Sequence, residues 1–140
     1  MAYGNPAIEG ESAKHAAACS NRDFDFFYLG LEDNKLLIQK CTRCGVLRNP
    51  PGPCCAACHS LAWTTVESTG LGTIFTYTFH HHPPVPGFTV PHAIVVVDMN
   101  EGIRMVGGMD SSGKAPTIGT RVRAEFSRQG DLASFCFVSE

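Results

Sequence analysis

Two CxxC motifs, separated by a short proline-rich loop, constrain this chain more than any other feature. Cys41 and Cys44 form the first motif, Cys55 and Cys58 form the second, and the ten residues between them include three prolines and two glycines. Four thiolates at about 2.3 Å satisfy tetrahedral zinc, and a closed four-sulfur shell leaves no position for a catalytic water. The spacing therefore predicts two knuckles around one structural zinc ion, with iron in the same geometry as the alternative.

Other chemistries fit this stretch less well. The segment CAACH (55–59) has the spacing that attaches a c-type haem, but haem would require export and an axial ligand, and it leaves the first CxxC motif unexplained. Disulfides are disfavoured because the seven cysteines are an odd number and a cytosolic setting keeps thiols reduced. Only Cys55 has the two-residue gap to Cys58, so we expect Cys54 to stay unliganded and His59 to face solvent.

Composition excludes several classes of protein. A chain of 140 residues with 44% hydrophobic content suffices for one globular domain or two very small ones. It has no apolar run near the roughly 18 residues that a membrane helix needs, and its N-terminus lacks a secretory signal pattern. We therefore expect a cytoplasmic protein without a membrane partner. The net charge of −2 argues against a surface built to neutralise nucleic-acid phosphates.

The chain is expected to divide into a flexible tail (1–20), a helix with a zinc ribbon (21–67) and a β-barrel (68–140). Asn21 is a plausible helix N-cap, and four apolar residues at i, i+3, i+4 and i+7 define one helical face. These residues are Phe24, Phe27, Tyr28 and Leu31. KLLIQKC (35–41) and LAWTTVES (61–68) predict strands that enter and leave the cysteine region.

Beyond residue 70 the sequence is typical of an all-β unit. Five runs rich in Val, Ile, Thr and Phe are separated by turn-forming segments. They are GTIFTYTFHHH (72–82), PHAIVVVDM (91–99), IRMVGGMD (103–110), RVRAEF (121–126) and LASFCFVS (132–139). Five strands predict a small barrel such as the OB-fold, and an SH3-like barrel fits almost as well. The predicted fold class is thus mainly β.

The sequence contains no recognisable catalytic constellation. Nucleophile-elbow, nucleotide-binding and metalloprotease motifs are absent. Asp98 and Glu101 are interpreted as solvated strand or turn ends, and Cys136 as a strand residue. His80, His81 and His82 could suggest a second metal site, but successive strand residues point to opposite faces. We interpret them as a strand end that enters a proline-rich loop, which could alternatively line a ligand or partner surface.

Several of these segments together resemble a known family over residues 22–138. They are FDFFYLGL, the stretch KLLIQKCTRCGVLRNPPGPCCAACHS, GTIFTYT, a proline-rich loop ending in PGF, HAIVVVDM and IGTRVRAEF. The family joins a rubredoxin-like zinc ribbon to an OB-fold, is catalogued as a domain of unknown function, and accompanies thiolase-like enzymes. The cysteine spacing with its internal NPP is the most specific part. This chain differs in having Cys54, His59 and the preceding tail.

The resemblance implies a non-catalytic accessory subunit. Its relatives associate with thiolase-like proteins that act on acyl-CoA thioesters, as acyltransferases in isoprenoid precursor synthesis or as aldolases in steroid side-chain degradation, and some are fused or bound to a hydratase. By analogy, this chain would dock on such an enzyme and help to form its CoA channel, while the partner supplies the catalytic residues.

A bound CoA would need phosphate donors and a groove for its pantetheine arm. The candidate donors are Arg43 and Arg48 on the ribbon, or Arg121 and Arg123 on a late strand. The loop containing Pro86, Gly87 and Phe88 would border the groove between ribbon and barrel.

The aromatic face of the N-terminal helix has two possible roles. Phe24, Phe27, Tyr28 and Leu31 could form a partner interface, or they could pack within the chain. Two functional alternatives also remain open. OB-folds and zinc ribbons often bind single-stranded nucleic acid, for which Phe75, Tyr77 and Phe79 would supply aromatic rings. Period-two spacing places these three rings on one face, however, and the core needs such a face. A rubredoxin-like electron carrier would contain iron in place of zinc.

Overall fold

The described residues of a computed structural model, 22–84, 89–110 and 114–140, form a short helix, a three-stranded sheet and a closed five-stranded barrel. This arrangement confirms the predicted fold class. The predicted tail and the Asn21 cap lie outside the described residues, as do Pro86, Gly87 and Phe88.

The N-terminal helix α1 (Asp25–Glu32) is shorter than the sequence suggested. A single 3-10 turn (Arg22–Phe24) precedes it, and Phe24 occupies the N-cap position without a capping side chain. Leu31 is only 4% exposed, and the Phe27 ring lies 6.0 Å from the ring of Phe135 in the last barrel strand. The apolar face of the helix therefore packs against the chain's own core.

The ribbon sheet contains β1 (Leu37–Cys41), β2 (Leu47–Arg48) and β3 (Trp63–Glu67), in the antiparallel order β2-β1-β3. Gln39 of β1 is buried, and its side-chain oxygen accepts a 2.9 Å hydrogen bond from the Gly52 N–H. This bond holds the proline-rich loop against the sheet, because a buried amide left unpaired would cost about 1–3 kcal/mol.

The barrel contains β4 (Leu71–His80), β5 (His92–Met99), β6 (Arg104–Met109), β7 (Arg121–Gln129) and β8 (Leu132–Ser139). It closes in the order β4-β5-β6-β8-β7, in which β6 and β8 are parallel and the other neighbours antiparallel. Alternating side chains fill the interior, as in β5, where Ala93, Val95 and Val97 are at most 1% exposed. This is the predicted OB-fold.

A β-bulge in β4 changes which side chains face the interior. The register with β5 shifts between Ile74 and Thr76, so the inward row passes from Ile74 to Tyr77 and leaves Phe75 on the outer face. Phe75 is 45% exposed, while Tyr77 and Phe79 pack against the core. The expectation that these three rings share one face is therefore wrong, because period-two alternation does not continue through a bulge.

Glu101, in the turn between β5 and β6, joins the ribbon to the barrel. Its carboxylate accepts hydrogen bonds from the backbone N–H of Thr69 at 2.6 Å, the Thr69 hydroxyl at 2.9 Å and the Ser68 hydroxyl at 3.1 Å. Burial by itself would raise the pKa of Glu101, but these donors outweigh it and lower the pKa below the usual value of 4.5. The sequence interpretation of Glu101 as a merely solvated turn residue missed this role.

Among the described residues, no helix has both the length and the apolar character needed to cross a membrane.

Candidate metal centre

The four cysteines predicted as ligands converge in the ribbon. The Sγ atoms of Cys41 and Cys58 are 3.6 Å apart, as are those of Cys44 and Cys55, and all four lie within 4.8 Å of one another. Four sulfurs placed about 2.3 Å from a common centre at tetrahedral angles would be separated by roughly 3.8 Å. The donor set therefore fits a tetrahedral zinc ion, and it leaves no coordination position for substrate.

The two knuckles are built by equivalent turns. The Gly45 N–H donates to the Cys41 carbonyl at 3.0 Å, and the His59 N–H donates to the Cys55 carbonyl at 2.8 Å. Both turn residues have positive φ, 78° at Gly45 and 59° at His59. Glycine adopts this left-handed conformation without a steric penalty, whereas histidine does not. His59 is exposed, as predicted, and serves the second knuckle through its backbone.

Backbone donors tune the thiols towards metal binding. The N–H of Cys44 is the main cause that lowers the pKa of Cys41, and with Arg43 it outweighs burial to bring the pKa to about 6. The N–H groups of Cys58 and Ala57 lower the pKa of Cys55 in the same way. These donors stabilise the thiolate, which is the form that binds metal.

Cys58 differs from Cys41 and Cys55 in the direction of its pKa shift. The Ser60 N–H lowers its pKa, but burial and the neighbouring cysteine thiols act in the opposite direction and raise it to about 12. Thiolates crowded together repel one another, so without a cation Cys58 retains its proton. A metal ion supplies the missing positive charge, and its binding would release that proton.

Cys54 stays outside the cluster. It is exposed, and its thiol donates to the Cys55 carbonyl at 3.6 Å. Because the two-residue gap of the second knuckle belongs to Cys55 and Cys58, the adjacent Cys54 side chain points elsewhere. The prediction that Cys54 is unliganded agrees with this arrangement.

The arginines considered for phosphate binding occupy different environments. Arg43 is exposed on the first knuckle. Arg48 donates through Nη1 to the Gly52 carbonyl at 3.2 Å, and its Nε and Nη2 are buried without a hydrogen-bond partner among the described residues. Arg121 is paired with Glu140 at 2.8 Å and Arg123 with Glu125 at 3.2 Å. Arg43 is thus the ribbon arginine whose side chain is exposed.

The remaining candidate residues have structural partners. Asp98 forms a 2.7 Å ion pair with Arg104, whose guanidinium also lies 3.5 Å from the centre of the Phe75 ring. Burial, with the charges of Glu125 and Asp110, raises the pKa of Cys136. That thiol is therefore protonated at neutral pH and unsuited to nucleophilic attack.

The assignment of the α1 aromatic face as a partner interface remains a prediction.

Two family models match consecutive parts of the chain. The ChsH2 rubredoxin-like zinc ribbon domain matches residues 30–64, and the ChsH2 C-terminal OB-fold domain matches residues 65–127.

Two curated proteins are similar to this chain. A probable enoyl-CoA hydratase alpha subunit from Thermomonospora curvata is 44% identical over 86 residues, covering 61% of this chain and 27% of that protein. The 3-oxo-4,17-pregnadiene-20-carboxyl-CoA hydratase alpha subunit from Mycobacterium tuberculosis is 41% identical over 108 residues, covering 76% of this chain and 34% of that protein. The chain thus spans about a third or less of the curated relatives it matches.

Two solved structures share the architecture. A chain of the Ltp2-ChsH2(DUF35) aldolase superposes with a TM-score of 0.77 at 37% sequence identity, covering 85% of this chain and 95% of that chain. A DUF35 protein of unknown function from Sulfolobus solfataricus gives a TM-score of 0.57 at 18% identity, covering 80% of this chain and 85% of that chain. The second likeness concerns the fold alone.

Proposed function

The chain belongs to the ChsH2 family of rubredoxin-like zinc ribbons joined to an OB-fold, and from this premise we propose that it is an accessory subunit of a thiolase-like acyl-CoA enzyme. The observation that carries the proposal is its likeness to the aldolase chain, 95% of which this chain covers. The relatives named as hydratase alpha subunits support an acyl-CoA thioester as the substrate class.

The chemistry of the described residues supports a subunit that does not act alone. The four clustered cysteines would form a closed shell around a metal ion, and Cys136 is held as a neutral thiol. Asp98 and Glu101 are committed to an ion pair and to the ribbon–barrel junction. The partner would therefore supply the nucleophile and the acid or base for aldol cleavage or acyl transfer, as the sequence resemblance implies.

CoA binding is the finer part of the proposal. CoA carries phosphates that need cationic donors. The exposed Arg43 on the ribbon is the favoured donor, because Arg121 and Arg123 are already paired with carboxylates. Arg48 would serve CoA only if its guanidinium moved away from the Gly52 carbonyl that it now contacts.

The first experiment is capture of the tagged chain from its host, followed by mass spectrometry and metal analysis of the same sample. We expect a thiolase-like protein and one zinc per chain. Recovery of nucleic acid or of iron, without such a partner, would contradict the proposal and favour one of the two alternatives. Iron bound by four thiolates is also coloured, whereas zinc is not.

A second experiment addresses CoA directly, in the purified complex. Arg43→Ala is expected to weaken CoA binding about tenfold by calorimetry, since a charged contact to phosphate is lost. Arg123→Ala is the matched control, because it removes an arginine already paired with Glu125. Equal CoA affinity in both variants would argue against the ribbon as the phosphate site while leaving the accessory role intact.

A further inference from the structure

The parallel strands β6 and β8 close the barrel over a very short seam. Their pairing is limited to Gly108 with Cys136 and Met109 with Phe137 among the described residues. Towards the beginning of both strands no further pairing is formed in this part of the chain, and a cavity of about 330 Å³ lies beside the gap. We call it the seam cleft. Its lining consists of His80, His92, Ile94, Val106, Gly107, Gly108, Phe135 and Cys136.

One glycine of β6 makes the space. A Cβ atom on Gly108 would lie 2.7 Å from Nε2 of His92, whereas one on Gly107, which pairs with the buried Val95, would meet the buried Phe137 ring inside the barrel. The His92 imidazole therefore covers bare backbone on β6, where any other residue would place a side chain. Because both sides of the cleft are strands of a closed barrel, its shape is fixed by the fold.

The lining is apolar at one end and has polar groups at the other. Ile94, Val106 and Phe135 line the end where the strands separate. His80 and His92, which are paired across β4 and β5, lie with Cys136 near Gly108. No Lys, Arg, Asp or Glu is among the described residues that line the cleft.

The polar end of the cleft consists of hydrogen-bonding groups. Nε2 of His80 lies 2.6 Å from the Pro83 carbonyl, which can only accept, so Nε2 donates to it. Burial raises the pKa of Cys136, so its thiol is uncharged and remains a weak donor. An anionic ligand would find no Lys or Arg among the described lining residues, and the charges of Glu125 and Asp110 that act on Cys136 would repel it.

A protein strand does not fit the exposed edge of β6. The Met99 N–H bonds to the Ile103 carbonyl, so alternation along the ladder directs the backbone groups of Arg104, Val106 and Gly108 towards β8. The Arg104 carbonyl already accepts from Asn49, and Gly108 already pairs with Cys136. Only Val106 is left on this edge, which is too short for strand addition.

We propose that the seam cleft binds a compact, uncharged alicyclic alcohol or ketone. The ring body lies against Ile94, Val106 and Phe135, and its oxygen hydrogen-bonds at the imidazole end. The cavity volume is at the lower limit of small-molecule sites, which matches a ligand of about ten carbon atoms. This site is separate from the metal centre and does not depend on the accessory role proposed above.

The test uses the full zinc-loaded chain and three probes that share one bicyclic skeleton. Borneol carries a hydroxyl, camphor a carbonyl, and camphor-10-sulfonate a permanent charge. We expect borneol and camphor to shift the NMR signals of the His80 and His92 rings and of the Ile94 and Val106 methyl groups, with saturation. The sulfonate is expected to shift none of them.

A matched pair of variants locates the binding. Val106 is 61% exposed and Val46, on the ribbon, is 42% exposed, so a glutamate at either position is tolerated by the fold. Val106→Glu is expected to weaken borneol binding about tenfold or more, because it places a charge at the apolar end. Val46→Glu is expected to leave that binding unchanged.

Three results would overturn the proposal. The first is shifts that do not saturate, or that lie away from the cleft. The second is equal binding of camphor-10-sulfonate and borneol, which would remove the argument from charge. The third is a Val106→Glu variant that binds borneol normally but no longer captures its protein partner, which would make the cleft part of a protein interface.

Discussion

The ribbon and the barrel are stabilised in different ways, although they are joined and both consist of short antiparallel strands. The ribbon has three strands, one of only two residues, and two of its buried side chains are the cysteines Cys41 and Cys55. The barrel has five strands and an interior that includes Val95, Val122 and Phe137, each fully buried. A unit too small to bury an apolar core needs a metal, whereas a closed barrel does not.

Removal of the metal is expected to have the largest effect on this difference between the two units. Cys55→Ser, or treatment with a strong chelator, is expected to unfold the ribbon while the barrel stays folded. The size of this effect is expected from zinc-finger peptides, in which binding of structural zinc is worth about 10–16 kcal/mol. Hydrogen exchange followed by NMR should show loss of protection in β1 and β3, with protection retained in β5 and β8.

The complementary variant in the barrel is Phe137→Ala, which removes a buried ring and leaves the cysteines in place. It is expected to destabilise the barrel by about 3–5 kcal/mol, since a large core side chain is replaced by a cavity. Zinc content should stay near one per chain. If the barrel loses its protection together with the ribbon in Cys55→Ser, the two units form one cooperative fold and the comparison is wrong.

Glu101 lies at the junction between the two units and bonds to Thr69. Glu101→Gln retains an acceptor but removes the charge that three hydrogen bonds from Thr69 and Ser68 stabilise. We expect a loss of about 1 kcal/mol at pH 7, the difference between a charged and a neutral hydrogen bond. Denaturant unfolding of the zinc-loaded chain measures this loss.

The pH dependence of that loss has a definite sign. The folded-state pKa of Glu101 lies below its usual value of 4.5, so the stabilisation is fully present above pH 4.5 and disappears as the pH falls through the folded-state pKa. The gap between wild type and Glu101→Gln should therefore close on acidification. Glu67→Gln, which breaks an exposed 4.0 Å contact with Lys35, serves as the control and should cost at most about 0.5 kcal/mol.

The sequence predicted the features that depend on local spacing or alternation. The CxxC spacing identified the four clustered cysteines, and runs of β-branched and aromatic residues identified all five barrel strands. Both signals are local, because a knuckle is closed by the turn between its cysteines and a strand by its own alternation.

The features that the sequence did not predict depend on contacts between distant segments. The bulge before Thr76 is set by pairing with β5, and it turned Phe75 outwards. The seam cleft required β6 and β8 to separate, and Gly108 was its one local signal. The role of Glu101 depends on Thr69, which lies 32 residues earlier in the chain.

The smallest expected effect on stability distinguishes the two knuckles of the ribbon. Gly45 and His59 occupy equivalent left-handed positions, and only histidine has a Cβ atom that disfavours them. His59→Gly should remove that penalty of about 1–2 kcal/mol, less about 0.5–1 kcal/mol for the greater freedom of glycine in the unfolded chain. The expected net gain is up to about 1.5 kcal/mol of ribbon stability.

The reverse change at the first knuckle isolates the backbone effect. A Cβ atom on Gly45 would meet only the Lys40 side chain, at 3.9 Å. Gly45→Ala therefore adds a Cβ atom in the left-handed conformation without a clash. It should destabilise the ribbon by about 1 kcal/mol, as measured by competition for zinc with a chelator. If His59→Gly instead weakens zinc retention, the histidine ring itself supports the second knuckle, and the two turns are equivalent in backbone geometry but not in function.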